Sequence, residues 1–213
     1  MVNEILAAIA ESVLDGNVSK TKENVASASA SGINASAILN DGLIKGMNEV
    51  GALFRDGEMF VPEVLVSAKA LQAGIEIIKE DLAAGGVRKT GKILTVTVEG
   101  DLHDIGIKLV GMMLEGAGFE VLHMGVDKPV KEIIEKIREY SPDILAISAM
   151  LTTTMSTMKD VIDSVVEEGL GAHVAIMIGG APTSQPFADQ IGANYSANAS
   201  EAVIVAKKLM NMA

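Results

Sequence analysis

The chain of 213 residues contains no cysteine and no tryptophan, and aromatic residues make up only 3% of it. The absence of cysteine excludes disulfides, thiolate metal sites, iron–sulfur clusters and cysteine nucleophiles. A transition metal would therefore depend on histidine, on carboxylates or on a preformed organic ligand. Hydrophobic residues still make up 49% of the chain, including 12 methionines. This composition predicts a sizeable aliphatic core, in one large domain or two small ones.

Positive charge and long apolar runs are also scarce. The formal net charge is −11, and no basic cluster extends beyond two residues, so we expect no nucleic-acid partner. No apolar run approaches the ~20 residues that cross a bilayer. The amino terminus lacks the basic and apolar regions of a signal peptide. These features predict a cytoplasmic protein without a membrane partner.

The first part of the chain shows only helical periodicity. Apolar residues recur at spacings of three and four, as in the series Leu39, Leu43, Met47, Val50 and Phe54. Ser19 is a plausible N-cap for the second helix, and Pro62 stands where a helix can begin. Four helices are expected, over residues 3–15, 19–31, 34–54 and 62–82. They predict a four-helix bundle at residues 1–88.

A glycine-rich stretch at residues 84–91 interrupts every periodicity and marks a change of pattern. We expect a domain boundary here. In residues 89–213, strands expected at 93–98, 119–125, 143–148, 173–178 and 194–196 alternate with helices expected at 104–117, 129–140, 154–168, 184–191 and 200–211. This alternation predicts an α/β domain with a Rossmann-like, doubly wound, parallel five-stranded sheet.

Three strand-to-helix turns of this domain carry unusual residues. They are Glu99-Gly-Asp-Leu-His-Asp-Ile-Gly106, Ser148-Ala-Met-Leu-Thr-Thr-Thr154 and Gly179-Gly-Ala-Pro-Thr-Ser184. In a parallel sheet these turns meet at the edge where ligands bind. An imidazole next to a carboxylate suits a metal ligand, because the acid fixes the tautomer of the ring.

Each turn also has a simpler explanation. A single histidine can be solvated, the Ser and Thr residues can cap helices, and Gly-Gly can serve only the turn. His123 and His173 are interpreted as structural residues. The dinucleotide fingerprint and the P-loop motif are both absent from the sequence.

Together the three turns resemble the cobalamin-binding signature of methionine synthase, adenosylcobalamin mutases and the corrinoid proteins of methyltransferase systems. The matching residues are Asp101-x-His103-x-x-Gly106, Ser148-x-Met150 and Gly179-Gly180. Met150 replaces the usual leucine at similar volume. The stretch from Phe54 to Val64 is similar to the helical cap of methylcobalamin proteins. The two-part layout most resembles the corrinoid proteins serving methanol, methylamine and betaine methyltransferases.

The resemblance implies a role for each matching residue. His103 would be the lower axial ligand of the cobalt in cobalamin, with Asp101 and Thr154 as its hydrogen-bonded relay. The other cofactor-binding residues would be Asp104, Gly106, Ser148, Met150, Thr152, Gly179 and Gly180, with Phe60 and Val64 covering the upper face of the corrin. Among these, Ser148 and Thr152 would bond the nucleotide tail or nearby corrin groups, and the glycines would leave space for the tail.

The resemblance also implies the function. The protein would be a methyl carrier without catalysis of its own, and its cofactor would alternate between methylcob(III)alamin and cob(I)alamin. A substrate:corrinoid methyltransferase would load it from a small donor, a second methyltransferase would unload it to a thiol or tetrahydrofolate, and a reductive activase would rescue oxidised cobalt. The cap would move to admit each partner in turn, which implies a hinge at residues 84–91, with Gly85, Gly86 and Gly91 absorbing backbone rotation. The donor, the acceptor and the oligomeric state are not encoded in any motif.

Three alternatives remain at this stage. A cobalamin-binding sensor or regulator shares the same two-part layout, but such proteins usually add a DNA-reading domain, and the light-sensing ones use a tryptophan. A small mutase subunit normally lacks the helical bundle. A flavodoxin-like domain without cobalt leaves Asp101 and His103 unexplained.

Overall fold

The computed structural model describes residues 2–84 and 90–211. These residues form two compact units. The first unit is the helical part up to residue 84 together with Gly116–Gly118, and the second contains the remaining described residues. Most of the hinge predicted at residues 84–91, including Gly85 and Gly86, lies outside the described residues.

The first unit is entirely helical. Its helices are α1 (Val2–Leu14), α2 (Val18–Ala30), α3 (Ala35–Ala37), α4 (Lys45–Arg55) and α5 (Val61–Ala84). Asn17 caps α2 by accepting from the backbone of Lys20, so the cap predicted at Ser19 is wrong by two residues. The third predicted helix is present but composite. A π-helical stretch, Ile38–Ile44, joins α3 to α4, which no spacing in the sequence indicated.

Close backbone approach holds α1 against this composite helix. A Cβ atom at Gly42 would lie 3.0 Å from the Ile9 side chain, and one at Gly46 would lie 2.4 Å from the Ala10 carbonyl oxygen. Ile9 and Val13 are fully buried at this contact. Glycine is therefore required at position 46, because any side chain there would displace α1.

The second unit is a five-stranded parallel sheet flanked by helices. Its strands are β1 (Lys92–Thr97), β2 (Glu120–His123), β3 (Ile144–Ser148), β4 (Ala175–Gly179) and β5 (Asn194–Tyr195). Its helices are α6 (Ile105–Gly116), α7 (Val130–Tyr140), α8 (Met155–Glu167), α9 (Gln185–Ile191) and α10 (Ala199–Leu209). The strand order is β2-β1-β3-β4-β5. The predicted α/β class and the five-stranded doubly wound sheet are confirmed.

The two faces of the sheet differ in the size of their side chains. On one face the neighbouring rows Leu94, Leu145, Ile176 and Val96, Ile147, Ile178 belong to a core built with α7, α8 and α9. On the other face the rows are Thr95, Ala146, Met177 and Thr97, Ser148, Gly179. Side chains therefore become smaller toward the carboxyl end of this second face.

Strand order also fixes where the loops meet. The chain runs from β1 outward to β2 and then returns to β3 on the other side, so the switch point lies between β1 and β3. In doubly wound sheets, ligands bind at the carboxyl ends of the strands flanking this point. Within the described residues, no helix has both the length and the apolar character needed to cross a bilayer.

We predict that Gly46→Ala destabilises the protein by about 1–3 kcal/mol, because the new methyl group would overlap the Ala10 carbonyl. Urea unfolding followed by far-ultraviolet circular dichroism measures this, since the chain has no tryptophan for fluorescence. Gly106→Ala is the matched control, because Gly106 is also helical and has nothing within 4 Å of an added Cβ. Equal stability of the two variants would contradict the prediction.

Candidate functional site

Asp101 is the buried centre of the site. It follows β1 directly and is 0% exposed. One carboxylate oxygen, Oδ1, accepts hydrogen bonds from the His103 backbone N–H (3.0 Å) and pairs with His103 Nδ1 (2.7 Å). The other, Oδ2, accepts from the Met150 backbone N–H (2.6 Å) and the Thr154 hydroxyl (3.0 Å). The loops after β1 and β3 are thus joined through a single carboxylate.

These contacts determine the charge on Asp101. Burial by itself would raise the pKa of the carboxyl, but the hydrogen bonds from Met150, His103 and Thr154 lower it to about 2. The carboxylate is therefore ionised at neutral pH and can only accept hydrogen bonds. His103 Nδ1 must consequently be the protonated nitrogen, and this leaves Nε2 with a free lone pair.

His103 presents that lone pair at the surface. Its side chain is 54% exposed although its partner is fully buried. Large apolar side chains are unusually exposed on both sides of it: Leu102 at 72%, Ile105 at 76%, Met150 at 38% and Leu151 at 41%. Apolar surface around one oriented nitrogen suits a broad, mostly apolar ligand with a metal at its centre.

Thr154 belongs to this network although it could have served only as a helix cap. It stands at the N-cap of α8, yet its side chain makes no capping hydrogen bond. Its hydroxyl lies 3.0 Å from Asp101 Oδ2 and 2.9 Å from the Leu151 carbonyl oxygen. A hydroxyl has one proton, and the charged oxygen is the stronger acceptor.

The predicted glycines differ in their surroundings: Gly106 borders open space, whereas Gly179 and Gly180 lie against the chain's own backbone. A Cβ atom at Gly106 would meet nothing within 4 Å, so the first turn of α6 faces open space. At Gly180, with φ +128°, a Cβ would overlap the Ala149 carbonyl oxygen, so no side chain fits there. A Cβ at Gly179 would lie 3.1 Å from the Ser196 carbonyl oxygen.

The remaining predicted residues are less closely connected. The Ser148 side chain is nearly buried at the end of β3, and Met150 Sδ accepts weakly from the Ala181 N–H at 3.5 Å. Asp104 forms an ion pair with Lys108 that lowers the pKa of its carboxyl. Thr152 is exposed outside the network.

The two cap residues predicted from the resemblance lie in the helical unit. Phe60 is 68% exposed, whereas Val64 is 0% exposed. A fully buried side chain offers no surface to a cofactor, so the structure does not support the role predicted for Val64. The helical periodicity of this part of the sequence placed Val64 on an apolar stripe, which correctly indicated that its side chain is buried.

The structure adds two residues that the sequence analysis missed. The Thr97 hydroxyl, at the end of β1, donates to the His103 carbonyl oxygen (3.0 Å). Asp127, in the loop after β2, accepts from the Gly100 N–H at 2.7 Å. A hydroxyl on the last residue of β1 was a signal for Thr97. No local pattern marked Asp127, because its partners are distant in sequence.

His123 has contacts that fit a structural role. Its Nδ1 lies 2.5 Å from the Thr95 hydroxyl, and its ring fills the space left by Gly111. Burial lowers the pKa of this imidazole, which favours the neutral form. His123 is therefore interpreted as part of the packing between β2 and α6.

Comparison with known proteins gives consistent matches. A family described as the B12 binding domain matches residues 91–204, and a second domain of the same description matches residues 5–79. Dimethylamine corrinoid protein 3 of Methanosarcina acetivorans is 44% identical over 98% of both chains. Trimethylamine corrinoid protein 1 of Methanosarcina mazei is 38% identical over 94% of both.

Two solved structures also resemble the chain. A methanol:cobalamin methyltransferase complex from Methanosarcina barkeri matches with a TM-score of 0.88 at 30% identity, covering 99% of this chain and 81% of that one. A cobalamin-binding protein from Desulfitobacterium hafniense matches with a TM-score of 0.81 at 32% identity, covering 96% of this chain and 98% of that one. These matches extend over both units of the chain.

We predict that Thr154→Val destabilises the protein by about 1–2 kcal/mol, because it removes one donor from a buried carboxylate while keeping the side-chain shape. Thr154→Ser keeps the hydroxyl and should recover most of the loss. Urea unfolding of the three proteins at neutral pH measures the difference. If valine and serine gave the same stability, the Thr154 hydroxyl would have no role in holding Asp101.

Proposed function

The chain belongs to the corrinoid proteins of methyltransferase systems, which bind cobalamin through B12 binding domains, and we propose that His103 is the lower ligand of the cobalt. As a family member it is a corrinoid methyl carrier that works with a methyltransferase. One observation carries the proposal for His103. Its Nδ1 is held by the ionised Asp101 at 2.7 Å, while Nε2 remains free at the surface.

The residues present fit a corrinoid better than a free metal ion. Among residues 2–84 and 90–211, no group of three or more His, Asp or Glu side chains could hold a metal. One imidazole alone binds a metal weakly, but it suffices where a macrocycle already fills the equatorial positions. The exposed apolar side chains of Leu102, Ile105 and Leu151 match a broad ring.

The small-residue face of the sheet fits the nucleotide tail of cobalamin. Thr97, Ser148 and Gly179 lie side by side on three adjacent strands, and in the first turn of α6 an added Cβ at Gly106 would meet open space. The Ser148 side chain is 7% exposed in this row, and its hydroxyl is of the kind that would bond a polar group of the tail. Bulky residues at these positions would close the space.

Bound cobalamin supplies a cobalt that can accept a methyl group and give it up. The contribution of the protein is to hold the imidazole and its proton. His103 would hold the cobalt through Nε2, while Asp101 would keep the Nδ1 proton in place and increase the basicity of the ring. The Thr154 hydroxyl, which donates to Asp101, would help to hold this carboxylate in place.

We further propose the route of the methyl group. A substrate:corrinoid methyltransferase loads the carrier from a methylated amine, and a second methyltransferase transfers the methyl to a thiol or tetrahydrofolate. A reductive activase restores cobalt that has been oxidised. The similarity to dimethylamine corrinoid proteins, at 44–48% identity, supports an amine donor over methanol.

We predict that the protein reconstituted with cobalamin has the spectrum of base-off, histidine-on cobalt, and that His103→Ala abolishes it. Electron paramagnetic resonance of the cobalt(II) form with ¹⁵N-labelled histidine reports the coordinating nitrogen directly. His173→Gln is the matched control, because the chain has only three histidines and His173 lies before β4, at its amino end. A histidine nitrogen signal that survives in His103→Ala would reject the assignment.

We predict that the cobalamin-bound, unmethylated protein accepts methyl groups fastest from a methylamine-dependent methyltransferase. The holo-protein should be mixed in turn with methyltransferases specific for monomethylamine, dimethylamine, trimethylamine and methanol, each with its substrate. The rate of the absorbance change at the cobalt centre measures loading. Faster loading by the methanol enzyme would show the amine assignment to be wrong, and loading by none of them would favour a cobalamin-binding sensor.

A further inference from the structure

The loop between β2 and α7 holds the backbone on which Asp101 and His103 depend. We propose that Asp127 is a positioning residue for this pair, a role that rests on the proposed function because it acts through His103. Within the described residues, no hydrogen bond joins Asp127 to the His103 imidazole or to the Asp101 carboxylate. Its contacts are with the backbone of Gly100 and of Asp101.

Asp127 forms two hydrogen bonds to consecutive residues of the turn after β1. Its Oδ1 accepts from the Gly100 N–H at 2.7 Å. Its own N–H donates to the Asp101 carbonyl oxygen at 3.0 Å. One residue therefore holds both the entry to the turn and the backbone of the buried carboxylate.

Both sides of this contact have unusual backbone angles. Asp127 has φ +53°, which disfavours most L-residues, and Gly100 has φ +83°. Asp and Asn tolerate this region better than other non-glycine residues. A non-glycine residue persists there when surrounding contacts require it, and here those contacts lead to the site.

The same loop continues the pairing of the sheet past the end of β2. The Thr97 N–H donates to the Gly125 carbonyl oxygen at 3.1 Å, the Lys128 N–H donates to the Thr97 carbonyl oxygen at 3.3 Å, and Val98 pairs with Lys128. The Thr97 hydroxyl then supports the His103 carbonyl oxygen. The turn carrying Asp101 is thus held at Thr97, at Gly100 and at Asp101 itself.

Position matters more here than it would at a flexible site. The Asp101 carboxylate must meet donors from His103 on one side and from Met150 and Thr154 on the other. Such a group works only when held within about half an ångström of its partners. Releasing Gly100 should therefore weaken the Asp101 contacts without removing any atom of them.

Three variants separate the side chain of Asp127 from its backbone angle. Asp127→Gly removes the acceptor for Gly100 and suits φ +53° better than the native residue. Asp127→Asn keeps an oxygen acceptor and tolerates the same angle. Ser141→Gly is the control, because Ser141 has φ +50° at the end of α7 and is the same kind of substitution away from the turn.

Hydrogen exchange of the cobalamin-free protein gives the first measurement. The His103 and Met150 amides both donate to Asp101, so their exchange reports how well the carboxylate is held. We expect both to exchange about tenfold faster in Asp127→Gly, and to match the wild type in Asp127→Asn and Ser141→Gly. Unchanged exchange in Asp127→Gly, or equal increases in all three variants, would overturn the proposal.

The holo-protein gives the second measurement. Paramagnetic resonance of the cobalt(II) form gives the fraction of cobalt bound by histidine, and from it the equilibrium constant for histidine ligation. This constant should be about tenfold lower in Asp127→Gly and should return to the wild-type value in Asp127→Asn. If the wild type itself lacks histidine ligation, the proposed function fails, and the exchange data still decide whether Asp127 positions Asp101. If the wild type shows histidine ligation of the cobalt and Asp127→Gly retains this ligation fully, the positioning role is rejected.

Discussion

The site depends on one buried carboxylate, Asp101, and on the donors that surround it. Removing an ionised carboxylate from water is costly unless hydrogen bonds replace its hydration. Here four donors from three residues do so, and they lower the pKa of the carboxyl to about 2 against the effect of burial. Because the donors come from the turns after β1 and β3, satisfying this charge also joins the two turns. The orientation of His103 follows from the same requirement.

The sheet explains why these turns can meet and why space remains beside them. With β1 and β3 adjacent at the switch point, their carboxyl ends lie next to each other. The side-chain period of two places bulky aliphatic residues on the face packed against α7, α8 and α9. On the opposite face, the last row before the turns is Thr97, Ser148 and Gly179. A tightly packed core and an accommodating face are therefore consequences of the same alternation.

The sequence predicted most of this through local patterns. Strong alternation of apolar runs and helical periods located each strand and helix of the second unit to within about two residues, and the motif residues Asp101, His103 and Thr154 do meet. Contacts between distant segments were missed. Asp127 acts through a left-handed backbone angle and through partners on another loop, and neither leaves a local signal. Val64 was assigned from the resemblance, although its place on an apolar helical stripe indicated burial.

The scarcity of metal-binding side chains has a consequence for how the protein controls its cofactor. Within the described ranges no cluster of three His, Asp or Glu residues could hold an ion, so the proposed direct bond to cobalt is the one from His103 Nε2. The strength of such a bond depends on the charge density of the ring, which the partner of Nδ1 sets. That partner is fixed by Met150 and Thr154 on one side and by the turn held by Asp127 on the other. Residues without contact to the metal would therefore determine how readily the imidazole binds and leaves.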